Sequence, residues 1–195
     1  MGHIVLLHHR YDSFRTRRGL KRYFRYMMGD VLEILRRRGH RVSVTGRPDR
    51  VPAGDLLIMH VDASVVPEEY LSVTASFPVT INGGVRDITK RAISELLIGP
   101  ENSWDGPVFV KSNLNCCGRP EARHNRKALL RGRPRPNPGL RVLSDYGVYP
   151  SLAQVPASCR SDAGIVIEKF MPVDHPQGFA ARTYIFCGAT ERCSV

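Results

Sequence analysis

GPVFVKSNLNCCGRPE, residues Gly106 to Glu121, is the stretch from which the rest of the chain is read. Pro107 to Lys111 predicts a short apolar strand that ends in a lysine, and Ser112 to Gly118 follows as a run of small and polar residues. A cation on a strand beside a small-residue loop suits a nucleotide triphosphate: the ammonium neutralises phosphate oxygens while backbone N–H groups close over them. The same residues also describe a surface hairpin with a solvated lysine, so the surrounding sequence has to decide.

Upstream, strand and helix signals alternate. Ile4 to His8 predicts a buried first strand, and Arg10 to Arg18 a polar, basic connection. A long helix is expected from about Gly19 to Arg38, with Leu20, Phe24, Met27, Val31 and Ile34 or Leu35 at helical spacing on its buried face. Arg36, Arg37 and Arg38 fall in its last turn, where cations suit the helix dipole, and Gly39 stops it. Arg41 to Thr45 alternates as a strand, and Asp55 to His60 is a nearly continuous apolar run of the kind found inside parallel sheets. Pro67 to Ala75 predicts a helix and Pro78 to Asn82 another strand. The order predicts an α/β fold, α+β over the whole chain, whose first part is an open sheet covered by helices, with the carboxyl ends of its strands facing any cleft. The first strand is not followed by G-x-G-x-x-G, and no G-x-x-x-x-G-K-[ST] occurs, which disfavours a dinucleotide site or a P-loop.

Asn82-Gly83-Gly84 marks the expected boundary between a domain at 1–82 and one at 83–195. Val85 to Leu97 reads as an amphipathic helix carrying Lys90, and Trp104 is placed to pack at the base of the strand that follows. A mobile basic and proline-rich segment is expected at about 122–141, because RPRPNPG (Arg133 to Gly139) repeats proline too closely for regular structure. Strands return at Gly164 to Phe170 and Phe179 to Cys187.

Composition bounds the reading. The 195 residues carry a formal charge of +11, which favours polyanionic partners. The five cysteines are an odd number and, with the histidines, show no metal-ligand spacing, so no metal ligands and a reduced, cytoplasmic compartment are expected. His8, His9, His60, His124 and His175 are scattered and read as surface or core polar groups. No apolar run is long enough to cross a bilayer or serve as a secretion signal, and Leu6 stands where N-myristoylation wants Ser or Thr. Ser151 and Ser158 lack a nucleophile-elbow setting. The alternative class is a basic nucleic-acid-binding α/β module without enzymatic activity, which would use Arg36 to Arg38 and the Arg123 to Arg141 region with Tyr146 and Tyr149.

Taken together, VFVKSNLNCCG, the later VIEKF and then RTYIFCG form a series that resembles the ATP-grasp superfamily, preceded by its Rossmann-like pre-ATP-grasp domain. The resemblance implies ATP and Mg²⁺ as cofactors and an unknown carboxylate substrate. Lys111 resembles the strand lysine on the α- and β-phosphates, and Lys90 an earlier nucleotide-contacting lysine, although Thr89 rather than an acid precedes it. Ser112 to Gly118 resembles the loop over the phosphates, with Cys116 and Cys117 where the family favours glycine. Glu168, Lys169 and Phe170 resemble the adenine-recognising hinge, and Arg182 the arginine directed at the phosphates or the acyl phosphate. The Mg²⁺ ligands of the family are expected beyond Glu191, so the ATP-grasp domain reads as incomplete and the chain as catalytically silent by itself.

Overall fold

The computed structural model describes residues 1–12, 27–99, 103–143, 146–175, 178–180, 183–187 and 190–194. In chain order the elements are β1 (His3–His8), α1 (Met27–Arg37), β2 (Arg41–Thr45), β3 (Leu56–His60), α2 (Glu68–Leu71), β4 (Val79–Ile81), α3 (Lys90–Ile93), β5 (Val108–Ser112) and α4 (Arg119–Leu129). They continue with β6 (Gly147–Tyr149), α5 (Ala157–Arg160), β7 (Ile165–Lys169), β8 (Val173–His175), β9 (Gly178–Ala180), β10 (Thr183–Cys187) and β11 (Thr190–Ser194). The fold is mixed α/β, with one parallel sheet and separate antiparallel pairings. The chain divides into two compact units, Met1–Ser94 with Ser112–Ser144, and Glu95–Lys111 with Asp145–Val195. The break expected at Asn82 to Gly84 falls inside the first of them.

The first unit is built on a four-stranded parallel sheet of order β2-β1-β3-β4. Alternation along β1 and β3 sends their side chains to two faces. Val5, Leu7, Leu57 and Met59 pack on one face with Val66, Tyr70 and Leu71. Ile4, Leu6 and Ile58 pack on the other with Leu32. Both strands are therefore buried on both sides, which is why they read as nearly unbroken apolar runs. Because β1 leads to β2 on one side and β3 leads to β4 on the other, the strand order reverses between β1 and β3, whose carboxyl ends meet at His8 and His60.

Two expectations change. The buried stripe of α1 is Met28, Leu32 and Leu35, while Met27, Val31 and Ile34 are exposed. The sequence holds two apolar stripes offset by one residue, and periodicity alone does not say which one the sheet takes. The amphipathic helix expected over Val85 to Leu97 is reduced to α3, with Val85 and Ile93 exposed, while Leu97 forms an isolated bridge to Glu168. Leu20 and Phe24 lie outside the described residues.

In the second unit, β5 is the middle strand of a three-stranded sheet of order β6-β5-β7. Val108, Val110 and Val155 form its core with Trp104, Ile165 and Ile167 against them. Trp104 Nε1–H donates to the carbonyl of Pro107 at 2.9 Å, at the base of the strand as expected.

Leu32→Ala is expected to cost about 2–5 kcal/mol, because it leaves a void on the buried face of the sheet. Val31→Ala is expected to stay below about 1 kcal/mol. Urea denaturation of the two variants decides which stripe is buried.

Candidate functional site

Strand alternation separates the chemistry of the second unit onto two faces. Val108 and Val110 point into the core, so Phe109 and Lys111 point away from it; Ile165 and Ile167 do likewise on β7, leaving Val166 and Glu168 on the face of Phe109 and Lys111. There Lys111 Nζ donates to Glu168 Oε2 at 2.6 Å, with Lys111 largely and Glu168 almost wholly shielded from solvent. The second carboxylate oxygen, Glu168 Oε1, is buried with no hydrogen-bond partner. Lys111 also lies over the Phe109 ring at 5.5 Å, and Phe109 touches the rings of Tyr146 and Phe170. A paired cation is thus set in a small aromatic surround.

The remaining residues proposed from sequence do not all join it. Lys169 sits over the Trp104 ring at 5.3 Å, on the opposite face by alternation, and its N–H donates to the carbonyl of Leu96. The N–H of Phe170 donates to the carbonyl of Pro107. The N–H groups of Lys169 and Phe170 are therefore already used within the second unit. Arg182 lies outside the described residues.

Lys90, Ser112 and Gly118 belong to the first unit. Lys90 Nζ donates to the carbonyl of Leu114, and its N–H to that of Asn113, so it braces the loop after β5 from one side. Ser112 is buried, its Oγ accepting the N–H of Leu114 at 3.2 Å. Gly118 has φ +77°, and a Cβ there would approach Leu114 and Leu140 at 3.0–3.1 Å. Cys116 and Cys117 precede it at φ 45° and 61°. Three successive left-handed residues form this loop, and two of them carry side chains that disfavour that conformation.

Within the segment expected to be mobile, the structure shows a helix and local side-chain bonds. Arg119–Leu129 is α4, opened by the left-handed Gly118 and by Pro120 in its first turn. The proline-rich run is tied to it: Asn125 Nδ2 donates to the carbonyl of Asn137, and the N–H of Asn137 returns to Asn125 Oδ1 at 2.9 Å. Its prolines rule out a helix or strand but not side-chain anchoring.

The inner face of α4 meets the carboxyl ends of the parallel strands, a place sequence reading did not single out. His124 Nε2 donates to Asp12 Oδ1 at 2.7 Å, and the other oxygen of Asp12 accepts the N–H groups of His9 and Asp62 at 3.1 and 3.2 Å. The His9 and His124 rings stack with centroids 3.7 Å apart, and His9 Nδ1 accepts the N–H of Tyr11 at 3.3 Å. Around them Arg123 pairs with Asp62, Lys127 Nζ donates to the carbonyl of Tyr11 at 2.7 Å, and Arg131 lies over the Tyr11 ring. One turn earlier, Glu121 Oε1 accepts the N–H of Ser64 at 2.6 Å. The sequence signal was the pair His8-His9 with Asp12 just after the first strand. Nothing local connected it to His124, 112 positions away from Asp12.

Burial, and then the neighbouring charge of His124, push His9 down to about 3. Burial also lowers His8. Burial alone would raise Asp12, but its hydrogen bond from His124, the charge of that ring and the N–H of Asp62 bring it below the ordinary carboxylate value.

Comparison of the chain with protein-family models, with curated proteins and with solved structures finds no match. Among the described residues no helix is long and apolar enough to cross a membrane. The arginines proposed for nucleic acid are partly committed: Arg36 and Arg37 both approach Glu33, and Arg123 is held by Asp62.

Two measurements follow. His9 stays neutral in the folded protein but takes a proton in the unfolded chain below about pH 6.5, so acid favours unfolding. Its contribution is fully present above that pH and falls progressively toward pH 3, by about 2 kcal/mol at pH 5. Urea midpoints of the wild type are expected to drop over this range, and those of His9→Gln to drop less. Replacing Cys116 and Cys117 singly by glycine is expected to raise stability by about 0.5–1 kcal/mol each, since glycine takes a positive φ without strain; equal or lower denaturation midpoints would count against strain at this loop.

Proposed function

We propose that this chain is an ATP-binding protein of the ATP-grasp kind, with a Rossmann-like first domain, and that its reaction class is ATP-dependent activation of a carboxylate. The observation that carries the reading is the 2.6 Å bond between Lys111 Nζ and Glu168 Oε2. The sequence resemblance assigned these two residues, 57 positions apart, to one nucleotide, and they are adjacent on neighbouring strands. A lysine ammonium has three N–H donors. With one given to Glu168, the other two are available to phosphate oxygens, and Glu168 keeps the ammonium from turning into solvent. Phe109, Tyr146 and Phe170 supply a flat apolar surround of the sort a purine ring packs against. Lys169 takes no side-chain part in this reading, because it faces Trp104.

The reaction itself transfers the γ-phosphoryl group to a substrate carboxylate, giving an acyl phosphate that an amine or another nucleophile displaces. The contribution of Lys111 is charge neutralisation and positioning rather than covalent catalysis. Lys90 supports the phosphate loop through the Leu114 carbonyl rather than pointing away from it. For Mg²⁺ the described residues offer no oxygen-rich set: His9, Asp12 and His124 bring two nitrogen donors and one carboxylate, which do not suit that ion. No step is assigned to it.

Binding of a non-hydrolysable ATP analogue by calorimetry tests the proposal. Lys111→Ala is expected to weaken it by roughly 10- to 100-fold, the worth of a charge-assisted hydrogen bond to phosphate. Charge reversal at Arg36 and Arg37 is expected to leave it unchanged. Equal affinity in wild type and Lys111→Ala would sink the assignment, and tight, salt-sensitive binding of single-stranded oligonucleotides without nucleotide binding would replace it with the nucleic-acid reading.

A further inference from the structure

The buried group at the carboxyl end of the parallel sheet has the composition of a metal centre. We propose that His9, Asp12 and His124 form a binding site for one divalent transition-metal ion of the zinc class. Each offers a ligand atom, and the three atoms lie within 4.8 Å of one another. Two imidazoles and one carboxylate are a donor set that suits Zn²⁺, Co²⁺ or Ni²⁺ and not Mg²⁺ or Ca²⁺.

Three features of the surroundings favour this use. The ligand side chains are already gathered and shielded: His124 and His9 are nearly inaccessible to solvent, and the backbone N–H groups of His9 and Asp62 fix the Asp12 carboxylate, so that a tilt of the stacked His9 and His124 rings would bring their lone pairs to one ion. Fixed outer partners of this kind orient metal ligands. The ion would replace the hydrogen bond between His124 Nε2 and Asp12 Oδ1, with the two atoms moving apart from 2.7 Å to admit it. Finally, the nearby cations are directed elsewhere, Arg123 to Asp62, Lys127 to the Tyr11 carbonyl and Arg131 to the Tyr11 ring. Three protein ligands leave a tetrahedral ion one position for water or substrate, which is the arrangement of catalytic rather than structural zinc. The site lies where the strand order reverses, the usual place for ligands in open parallel sheets. It does not depend on the nucleotide reading.

The test uses the full chain, stripped with a chelator and titrated with CoCl2 and ZnCl2. One equivalent of Co²⁺ is expected to give visible d–d absorption without thiolate charge-transfer bands, and Zn²⁺ to displace it while millimolar Mg²⁺ does not. His9→Gln and His124→Gln are each expected to weaken Zn²⁺ binding by at least about tenfold, whereas His3→Gln and His40→Gln leave it unchanged. If the His124 variant does not fold, His9→Gln and the wild-type melting curve carry the test, since a saturable rise in Tm with Zn²⁺ is required by linkage. Absence of a cobalt spectrum from folded wild type, or an unchanged spectrum in His9→Gln, overturns the proposal.

Discussion

A strand buried on both faces leaves no room for polar side chains along its length, and β1 is such a strand. Ile4 to Leu7 are all within the core, two residues to each face. Polar chemistry is therefore displaced to the strand ends. At the carboxyl end the chain turns into His9, Arg10, Tyr11 and Asp12, and each of these makes a contact that fixes another segment. The N–H of Arg10 donates to the hydroxyl of Tyr70, and its guanidinium to Glu69. Asp12 connects to the segment just after β3 through Asp62 and to α4 through His124. The apolar strand and the polar group at its end are two results of one constraint.

The second unit applies strand alternation differently. One face of β5 and β7 is spent on the valine and isoleucine core, so the other is free to hold a lysine and a glutamate that neutralise each other. An almost fully buried carboxylate would be costly without a cation, and a lysine beside apolar rings would tend to lose its charge without a carboxylate. Their mutual dependence explains why the pair can sit on a largely shielded face at all. It also means that either residue loses its setting when the other is removed.

Local pattern revealed much of this and long-range geometry the rest. β2 was read with its observed bounds, and β1, β3, β5 and β7 within a residue or two, because alternation and apolar runs are local signals. The resemblance implies that Lys111 and Glu168 face one nucleotide; the structure shows that the two side chains pair with each other. The α1 stripe could not be anticipated, since Met27-Met28, Val31-Leu32 and Ile34-Leu35 offer two equally apolar faces and only the sheet chooses. The helix α4 was hidden by its arginines and by the prolines that follow, although an alanine near its end and an acidic residue in its first turn are ordinary helix features. His9 with His124 was illegible for a different reason: ligands from separate segments have no spacing to read.

The division of the chain has a consequence for its synthesis. The first unit is not one continuous stretch, because residues 95–111 belong to the second. As the polypeptide leaves the ribosome, the parallel strands are available long before α4, and the Asp12 carboxylate has to wait for His124. Until then Asp12 keeps only the N–H groups of His9 and Asp62, and the His9 ring lacks the imidazole it stacks on. The nascent chain thus passes through a stage in which its first four strands are complete yet their polar rim lacks its cover.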